Sequence, residues 1–253
     1  MRVVIVGAAG RMGRALRTAL DERPGAVLVG LVDRQADPAA GISTDLDALL
    51  PGADVVIDFS SPQATASNLA ACARLGCAVL VGTTGLSAEA HAAAAAAAER
   101  VAVITAANTS LGVTLLVELV RAAARALPAD FDIEIIEGHH RHKKDAPSGT
   151  ALALGRAAAA GRGQELAAVM APERRGDAPR REGEIGFAVV RGGDIVGDHT
   201  VLFAGSGERV AISHQATDRA IFARGALQAA AWLVGKPPGR YEMIDVIGVK
   251  TIS

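Results

Sequence analysis

Short runs of apolar, often β-branched residues recur through the first part of the chain, and helix-forming stretches separate them. The runs cover residues 2–6, 27–32, 55–59, 78–81 and 101–105. Runs this short and this apolar are typical of strands buried on both faces of a parallel sheet. The segments between them predict helices at 14–22, 47–50, 63–75 and, after a Ser87 cap, through residue 100. This alternation predicts a doubly wound, Rossmann-like α/β domain.

The pattern changes after Asn108. A helix ending near Pro128 is followed by consecutive strands at 132–137, 184–191, 195–203 and 209–215, with a polar loop at 172–182. Gly192 and Gly193 predict a tight hairpin between the second and third of these strands, and residues 204–207 predict another turn. Residues 111–218 are therefore expected to form a smaller α+β domain. The helix predicted at 220–234 returns the chain to the first domain, which comprises 1–110 and 219–253.

Composition limits the function classes. With 50% apolar residues the chain is too apolar for disorder. A net charge of −1 and 3% aromatic residues argue against a nucleic-acid partner. We predict no membrane association, because no apolar run is long enough to span a bilayer. Cys72 and Cys77 form no redox or disulfide pattern and are expected to be buried fillers in a cytoplasmic protein.

A glycine-rich loop joins the first predicted strand to the first predicted helix, with the sequence Gly7-Ala8-Ala9-Gly10-Arg11-Met12-Gly13. Glycines let a backbone approach a pyrophosphate, and the following helix N-terminus attracts its charge. The GxxGxxG spacing alone is also compatible with a structural turn.

Asp33 strengthens the case for a dinucleotide, because it ends the second strand 20 residues beyond Gly13. A carboxylate at that place accepts hydrogen bonds from the adenosine ribose. Arg34 either pairs with a 2′-phosphate or is a solvated surface residue. The pair therefore leaves the preference between NADH and NADPH open.

A histidine-rich segment follows the strand at 132–137 and reads Glu137-Gly138-His139-His140-Arg141-His142-Lys143-Lys144-Asp145. A predicted helix begins soon afterwards, with Ser148 as its cap and the Gly149 and Thr150 amides in its first turn. Cationic side chains beside a helix start are suited to an anionic group.

Three interpretations of this segment remain open. The HxxH spacing of His139 and His142 is compatible with a metal, but no nearby Cys completes a ligand set and the flanking cations repel a cation. A solvated basic loop is the second interpretation. The third is a catalytic site for a dianionic small molecule, in which His and Lys act as acids.

These motifs together resemble the 4-hydroxy-tetrahydrodipicolinate reductase (dihydrodipicolinate reductase) family over essentially the whole chain. The resemblance rests on the glycine loop, on Gly82-Thr83-Thr84-Gly85, on the histidine segment continued through Pro147-Ser148-Gly149-Thr150-Ala151, on 184–187 and on 191–199.

The resemblance implies reduction of a cyclic dicarboxylate with NADH or NADPH in lysine and diaminopimelate biosynthesis. It implies a second domain with an open mixed sheet and a homotetramer built through these sheets. His139 and Lys143 match the family's proton donors, and His140, Gly149 and Thr150 match its substrate-binding residues. The implied cofactor contacts are Gly7, Ala8, Ala9, Gly10, Arg11, Met12, Asp33, Arg34, Gly82, Thr83, Thr84, Ala106, Ala107, Asn108 and Thr109.

One position departs from the family, because Thr109 stands where an aromatic Phe is common. Two other functions remain open: a different NAD(P)H-dependent reductase, and a nucleotide-sensing regulator that binds the cofactor without turnover.

Overall fold

The structure is a computed structural model, and it describes residues 1–171 and 173–249. The strands are β1 Arg2–Val6, β2 Val27–Val32, β3 Ile42–Ser43, β4 Val55–Asp58, β5 Ala78–Val81, β6 Ala102–Thr105, β7 Asp132–His139, β8 Ile185–Arg191, β9 Gly197–Ala204, β10 Arg209–Ala216 and β11 Gly239–Tyr241. The α-helices are α1 Arg11–Asp21, α2 Pro62–Leu75, α3 Ala88–Ala98, α4 Leu111–Ala126, α5 Gly149–Gly161, α6 Leu166–Val169, α7 Ala220–Leu233 and α8 Met243–Ile247.

The chain divides into two compact units. The first contains Met1–Leu111 and Ala220–Gly248, and the second is formed mainly by Gly112–Arg219. The prediction for the end of the first domain includes residues 250–253, which lie outside the described residues. No helix within the described residues is long and apolar enough to cross a membrane.

A parallel sheet forms the centre of the first unit, with strand order β11-β6-β5-β4-β1-β2-β3. Alternate residues of its strands enter two separate cores, as the two-residue period of a strand requires. Val3 and Ile5 of β1 pack in the core with α1 and α7. Val4 and Val6 pack in the core with α2 and α3. The predicted doubly wound, Rossmann-like sheet is thereby confirmed.

The second unit contains a mixed sheet with strand order β10-β9-β7-β8. Strand β7 is parallel to β8 and antiparallel to β9. Ile133 and Ile135 of β7 pack against α5 through Leu154 and Ala158. The predicted open mixed sheet is confirmed.

Two local predictions are wrong. The predicted hairpin at 191–194 does not form, because β7 lies between β8 and β9 in the sheet. Residues 192–196 instead cross the end of β7. Gly192 N donates there to the His139 carbonyl at 3.0 Å. The helix predicted at 47–50 is a turn, followed by a short 3₁₀ helix over Leu50–Gly52. There the Ser43 hydroxyl and the Asp45 carboxylate accept backbone N–H bonds and favour the turn.

Candidate active site

The glycine loop leaves the carboxyl end of β1 and leads into α1. Backbone geometry explains two of its glycines: Gly7 has φ of +83°, and a Cβ at Gly13 would lie 2.3 Å from the Gly7 carbonyl oxygen. Gly10 is the N-cap of α1, and no side chain caps the helix there. A Cβ at Gly10 would have only the Gly7 carbonyl nearby, at 3.2 Å. The loop is thus a tight turn that presents backbone to the space above α1.

A cavity of about 770 Å³ lies above this loop, within the first unit. It extends along the carboxyl ends of β4, β1, β2 and β3 and so includes the boundary between β1 and β4, where the strand order reverses and where open α/β sheets bind ligands. Its lining is Val6, Gly7, Ala9, Gly10, Val32, Asp33, Arg34, Gln35, Ala36, Asp37, Pro38, Ile42, Thr44, Phe59, Ser60, Ser61, Ala64 and Asn68. The structure therefore brings five of the predicted cofactor residues to one cavity: Gly7, Ala9, Gly10, Asp33 and Arg34.

Asp33 anchors the loop to the end of β2. Its Oδ2 accepts the Ala9 N–H at 2.9 Å, and its Oδ1 accepts the Arg34 N–H at 2.8 Å. Ala8 is buried, Met12 packs against the core, and Arg11 is exposed at the start of α1. These three do not line the cavity.

Two further loops follow β5 and β6, which are neighbouring strands of the same sheet. Gly82 follows β5, and its missing side chain leaves room for the Phe59 ring, which would lie 2.2 Å from a Cβ there. Thr83 is buried, and its hydroxyl bonds the Asp58 carbonyl at 3.4 Å, whereas Thr84 is exposed. Phe59 thus connects this loop to the cavity, although the loop itself does not line it.

The loop after β6 contains Ala106, Ala107, Asn108 and Thr109. Ala107 is exposed, and the Asn108 side chain accepts the Ser110 N–H at 2.9 Å. The Thr109 hydroxyl is buried and donates to the Phe222 carbonyl of α7 at 2.7 Å. Thr109 therefore fixes the loop to α7 rather than presenting its side chain to a ligand.

Sequence reasoning missed part of this cavity. Asn68 lies on α2 and donates to the buried Asp58 carboxylate at 3.0 Å, while Ser60 N donates to the same carboxylate at 2.8 Å. Residues 35–38, with Ile42 and Thr44, line the side next to Arg34. No motif marks these residues, although their place after β2 follows from the topology.

The second unit holds the histidine segment at the carboxyl end of β7. His139 is the last residue of β7, and its Nδ1 lies 2.6 Å from Oε2 of the fully buried Glu137. Arg191, at the end of β8, donates two hydrogen bonds to Glu137, each 2.8 Å long. Burial alone would raise the pKa of Glu137, but hydrogen bonds from Arg191, His139 and Ser148 outweigh it, so the pKa is lowered.

The start of α5 contacts the same group. Ser148 is the N-cap: its Oγ accepts the Ala151 N–H at 3.1 Å, which confirms the predicted cap, and its backbone N donates to Glu137 at 3.0 Å. Gly149 is exposed and Thr150 half-buried in the first turn.

His199 of β9 is a second buried histidine at this place. Its Nε2 lies 3.1 Å from Ser148 Oγ, and its ring meets His139 edge to face with centroids 5.1 Å apart. Burial and the nearby His139 lower the pKa of His199 to about 4. His199 is therefore neutral at pH 7, and its Nε2 forms a hydrogen bond with the Ser148 hydroxyl.

The loop after β7 holds the remaining cations. Lys143 Nζ lies 2.9 Å from the Asp145 carboxylate, whose pKa the Lys143 hydrogen bond lowers. Desolvation, followed by the charges of Arg219 and neighbouring cationic groups, lowers the pKa of His140. His140 thus favours the neutral form beside a strongly positive loop.

The sequence motifs include Glu137, Arg191 and His199, but sequence reasoning assigned none of them a role in this cluster. Arg191 is 54 residues from Glu137, and His199 is 51 from Ser148, so only the strand register brings them together. Among the described residues, no three His, Cys, Asp or Glu side chains are grouped as a metal site.

Comparisons with known proteins cover both units. A sequence model of the dihydrodipicolinate reductase N-terminus matches residues 1–109, and one of its C-terminus matches residues 112–247. A 4-hydroxy-tetrahydrodipicolinate reductase of Thiobacillus denitrificans is 49% identical, with 99% of each chain covered. One of Rhodopseudomonas palustris is 48% identical over 100% of this chain and 99% of its own.

A solved structure shares the fold. Dipicolinate-bound dihydrodipicolinate reductase from Paenisporosarcina sp. TG-14 superposes with a TM-score of 0.80 at 22% identity, covering 98% of this chain and 99% of that one. Both halves of the sequence match the same enzyme, and so does the architecture. The chain belongs to the dihydrodipicolinate reductase family.

Proposed function

We propose that this chain reduces 4-hydroxy-tetrahydrodipicolinate to tetrahydrodipicolinate with NADH or NADPH, in lysine and diaminopimelate biosynthesis. The observation that carries the proposal is the match of both halves of the chain, residues 1–109 and 112–247, to one reductase family. Dipicolinate, which the Paenisporosarcina enzyme binds, is a cyclic dicarboxylate and supports that class of substrate.

The first unit fits a dinucleotide. Gly7 and Gly13 hold the tight turn, and the N-terminus of α1 follows it without a side-chain cap, as a pyrophosphate requires. Asp33 faces the same cavity and is suited to the adenosine ribose, and the adjacent Arg34 is suited to a 2′-phosphate. When bound, the nicotinamide supplies the hydride that reduces the substrate ring.

The other predicted cofactor contacts surround the same edge of the sheet. Ala8, Arg11 and Met12 complete the loop and the first turn of α1. Gly82, Thr83 and Thr84 follow β5, and the segment from Ala106 through Ala107 and Asn108 to Thr109 follows β6. Because the Thr109 side chain is hydrogen-bonded to α7, we assign this last segment contacts through its backbone with the nicotinamide end of the cofactor.

The second unit supplies the groups for the substrate. His139 and Lys143 act as acids for the carbon that gains a proton after hydride transfer, and each such group contributes about 10²–10⁴-fold. His140 and the Gly149 and Thr150 amides at the start of α5 hold a carboxylate. Holding the carboxylate orients the ring for reaction.

The test follows absorbance at 340 nm while a synthase makes the substrate in situ from pyruvate and aspartate semialdehyde. We expect NADH or NADPH to be oxidised only when the synthase is present. His139→Ala and Lys143→Ala should each lower kcat by about 10²-fold or more with little change in cofactor affinity. His91→Ala, on the exposed surface of α3, is the control and should retain full activity.

Cofactor binding without oxidation would contradict the substrate assignment and favour a different imine as substrate, or a regulator. Near-normal kcat in Lys143→Ala would assign Lys143 to binding rather than proton transfer.

Two expectations about assembly and cellular location complete the proposal. One face of the second unit's sheet exposes Ile136 and Val190, which are 39% and 50% exposed, and this supports a homotetramer built through the sheets. Cys72 and Cys77 are both free and buried, which suits a reducing cytoplasm.

A further inference from the structure

We infer that Glu137 is a positioning residue, whose buried carboxylate holds His139 in the proton-donating arrangement and fixes it to the start of α5. The inference rests on the proposed function, because it takes His139 as the proton donor. Glu137 itself is fully buried and transfers no proton to the substrate.

All the hydrogen-bonding capacity of the Glu137 carboxylate is used. Oε2 lies 2.6 Å from His139 Nδ1 and accepts Arg191 Nη1 at 2.8 Å. Oε1 accepts Arg191 Nη2 at 2.8 Å and the Ser148 N–H at 3.0 Å. Four hydrogen bonds from three residues leave a fully buried carboxylate with a single low-energy orientation.

This arrangement determines the tautomer of His139. Glu137 remains ionised, since its hydrogen bonds lower its pKa, and an ionised carboxylate only accepts. Nδ1 of His139 must therefore carry a proton, and Nε2 is the nitrogen that exchanges its proton. When Nε2–H gives its proton to the substrate carbon, the imidazolium becomes the neutral Nδ1–H form. The bond to Glu137 is unchanged, and water restores the lost proton.

The neighbouring basic groups cannot replace Glu137 as the anion that orients His139. Arg191 and Lys143 are cations, His140 favours the neutral form, and the buried His199 is neutral at pH 7. Arg191 balances the charge of Glu137 and lets it stay ionised in a buried place. Glu137 is thus the anion that orients the proton donor, and Ser148 N connects it to the helix proposed to hold the substrate carboxylate.

The primary test is Glu137→Gln, which keeps the shape but replaces one acceptor oxygen with an N–H donor. We expect kcat to fall by about 10²-fold or more, because a histidine in the wrong tautomer is a poor acid. The KM for NADH should change less than twofold. ¹⁵N NMR of the free enzyme should show a protonated Nδ1 at His139 in the wild type and its loss in the variant.

Glu118→Gln is the matched control. Glu118 accepts two hydrogen bonds from Arg121 on α4, at 2.7 and 2.9 Å, and so resembles Glu137 in its pairing with an arginine. It should leave kcat and the His139 spectrum unchanged.

A second variant covers the case in which Glu137→Gln alone is unstable, because it leaves Arg191 without its partner. Glu137→Gln combined with Arg191→Met removes both charges. We expect this double variant to fold and still to show the low kcat and the altered His139 spectrum. Recovery of wild-type kcat would overturn the inference and limit Glu137 to neutralising Arg191.

Failure of the inference and failure of the proposed function are distinguishable. If the wild type does not oxidise NADH with the in situ substrate, the function fails, while the tautomer measurement still tests the role of Glu137. If the wild type turns over and Glu137→Gln retains its kcat, or if His139 has the same tautomer in both, the positioning role is wrong.

Discussion

At the scale of single residues, the second unit contains two buried titratable groups, of which one stays ionised and the other is neutral. Glu137 stays ionised because Arg191, His139 and the Ser148 N–H form hydrogen bonds with it, whereas His199 is neutral because burial and a nearby histidine oppose its charge. Both effects act in the same direction on stability. Each native group binds protons less readily than its unfolded counterpart, so acid favours the unfolded chain.

The contribution of His199 to this loss of stability in acid can be measured. Its pKa falls from an ordinary 6.5 to about 4 on folding, with His139, Glu137, His214 and Lys143 as the charged or titratable neighbours. Its contribution is therefore present above pH 6.5 and is lost as pH falls towards 4. By pH 4.5 the free energy of unfolding should drop by about 2–3 kcal/mol.

Urea unfolding between pH 7 and 4.5 measures this loss. His199→Gln, whose side-chain amide can still form a hydrogen bond with the Ser148 hydroxyl, should show a much flatter dependence, whereas exposed His91→Gln should follow the wild type. Equal slopes in the wild type and His199→Gln would show that folding does not lower the pKa of His199.

At the scale of elements, α5 connects local sequence to the site. Ser148 caps the helix and also bonds His199, so Ser148→Ala removes a cap and leaves a buried ring nitrogen unpaired. We expect a loss of about 2–4 kcal/mol, because losing the cap costs roughly 1 kcal/mol and leaving the ring nitrogen unpaired costs about 1–3 kcal/mol.

Ser87→Ala is the comparison for this prediction, because Ser87 also caps a helix: its Oγ accepts the Ala90 N–H of α3 at 3.1 Å, and its only contact with a histidine in the described part of the chain is a backbone hydrogen bond from His91 N. It should cost only about 1 kcal/mol in denaturant unfolding. Equal losses in the two variants would mean that the His199 bond adds nothing.

The elements also show where sequence reasoning succeeds. The first unit was predictable because short apolar strands and capped helices carry local signals, such as Ser87 before α3. The absence of a hairpin at 191–194 was not predictable, since two glycines specify a turn but not which strand pairs with β8. The same reason explains why His139 was singled out while Arg191 and His199 were missed: their proximity depends on pairing between distant strands.

At the scale of the whole molecule, the exposed face of the mixed sheet leads to a test of assembly. Ile136 lies on the central strand β7, and Ile136→Lys places a charge in the proposed sheet-to-sheet interface. We expect native mass spectrometry to show a tetramer for the wild type and smaller species for the variant.

Val27→Lys changes another exposed apolar residue, 57% exposed in the first unit, and should leave the mass unchanged. A wild-type monomer, or a tetramer that persists in Ile136→Lys, would contradict assembly through this face.

The first unit is built from two separate stretches of chain, and this has a consequence for synthesis on the ribosome. Helix α7 supplies Ala226, Leu227 and Ala230 to the core that covers one face of the parallel sheet, and β11 pairs with β6. Both emerge only after Gly112–Arg219 of the second unit has been translated. Until then α1 alone covers that face of the nascent sheet and part of its apolar surface stays exposed, so this is the interval at which a chaperone has most to protect.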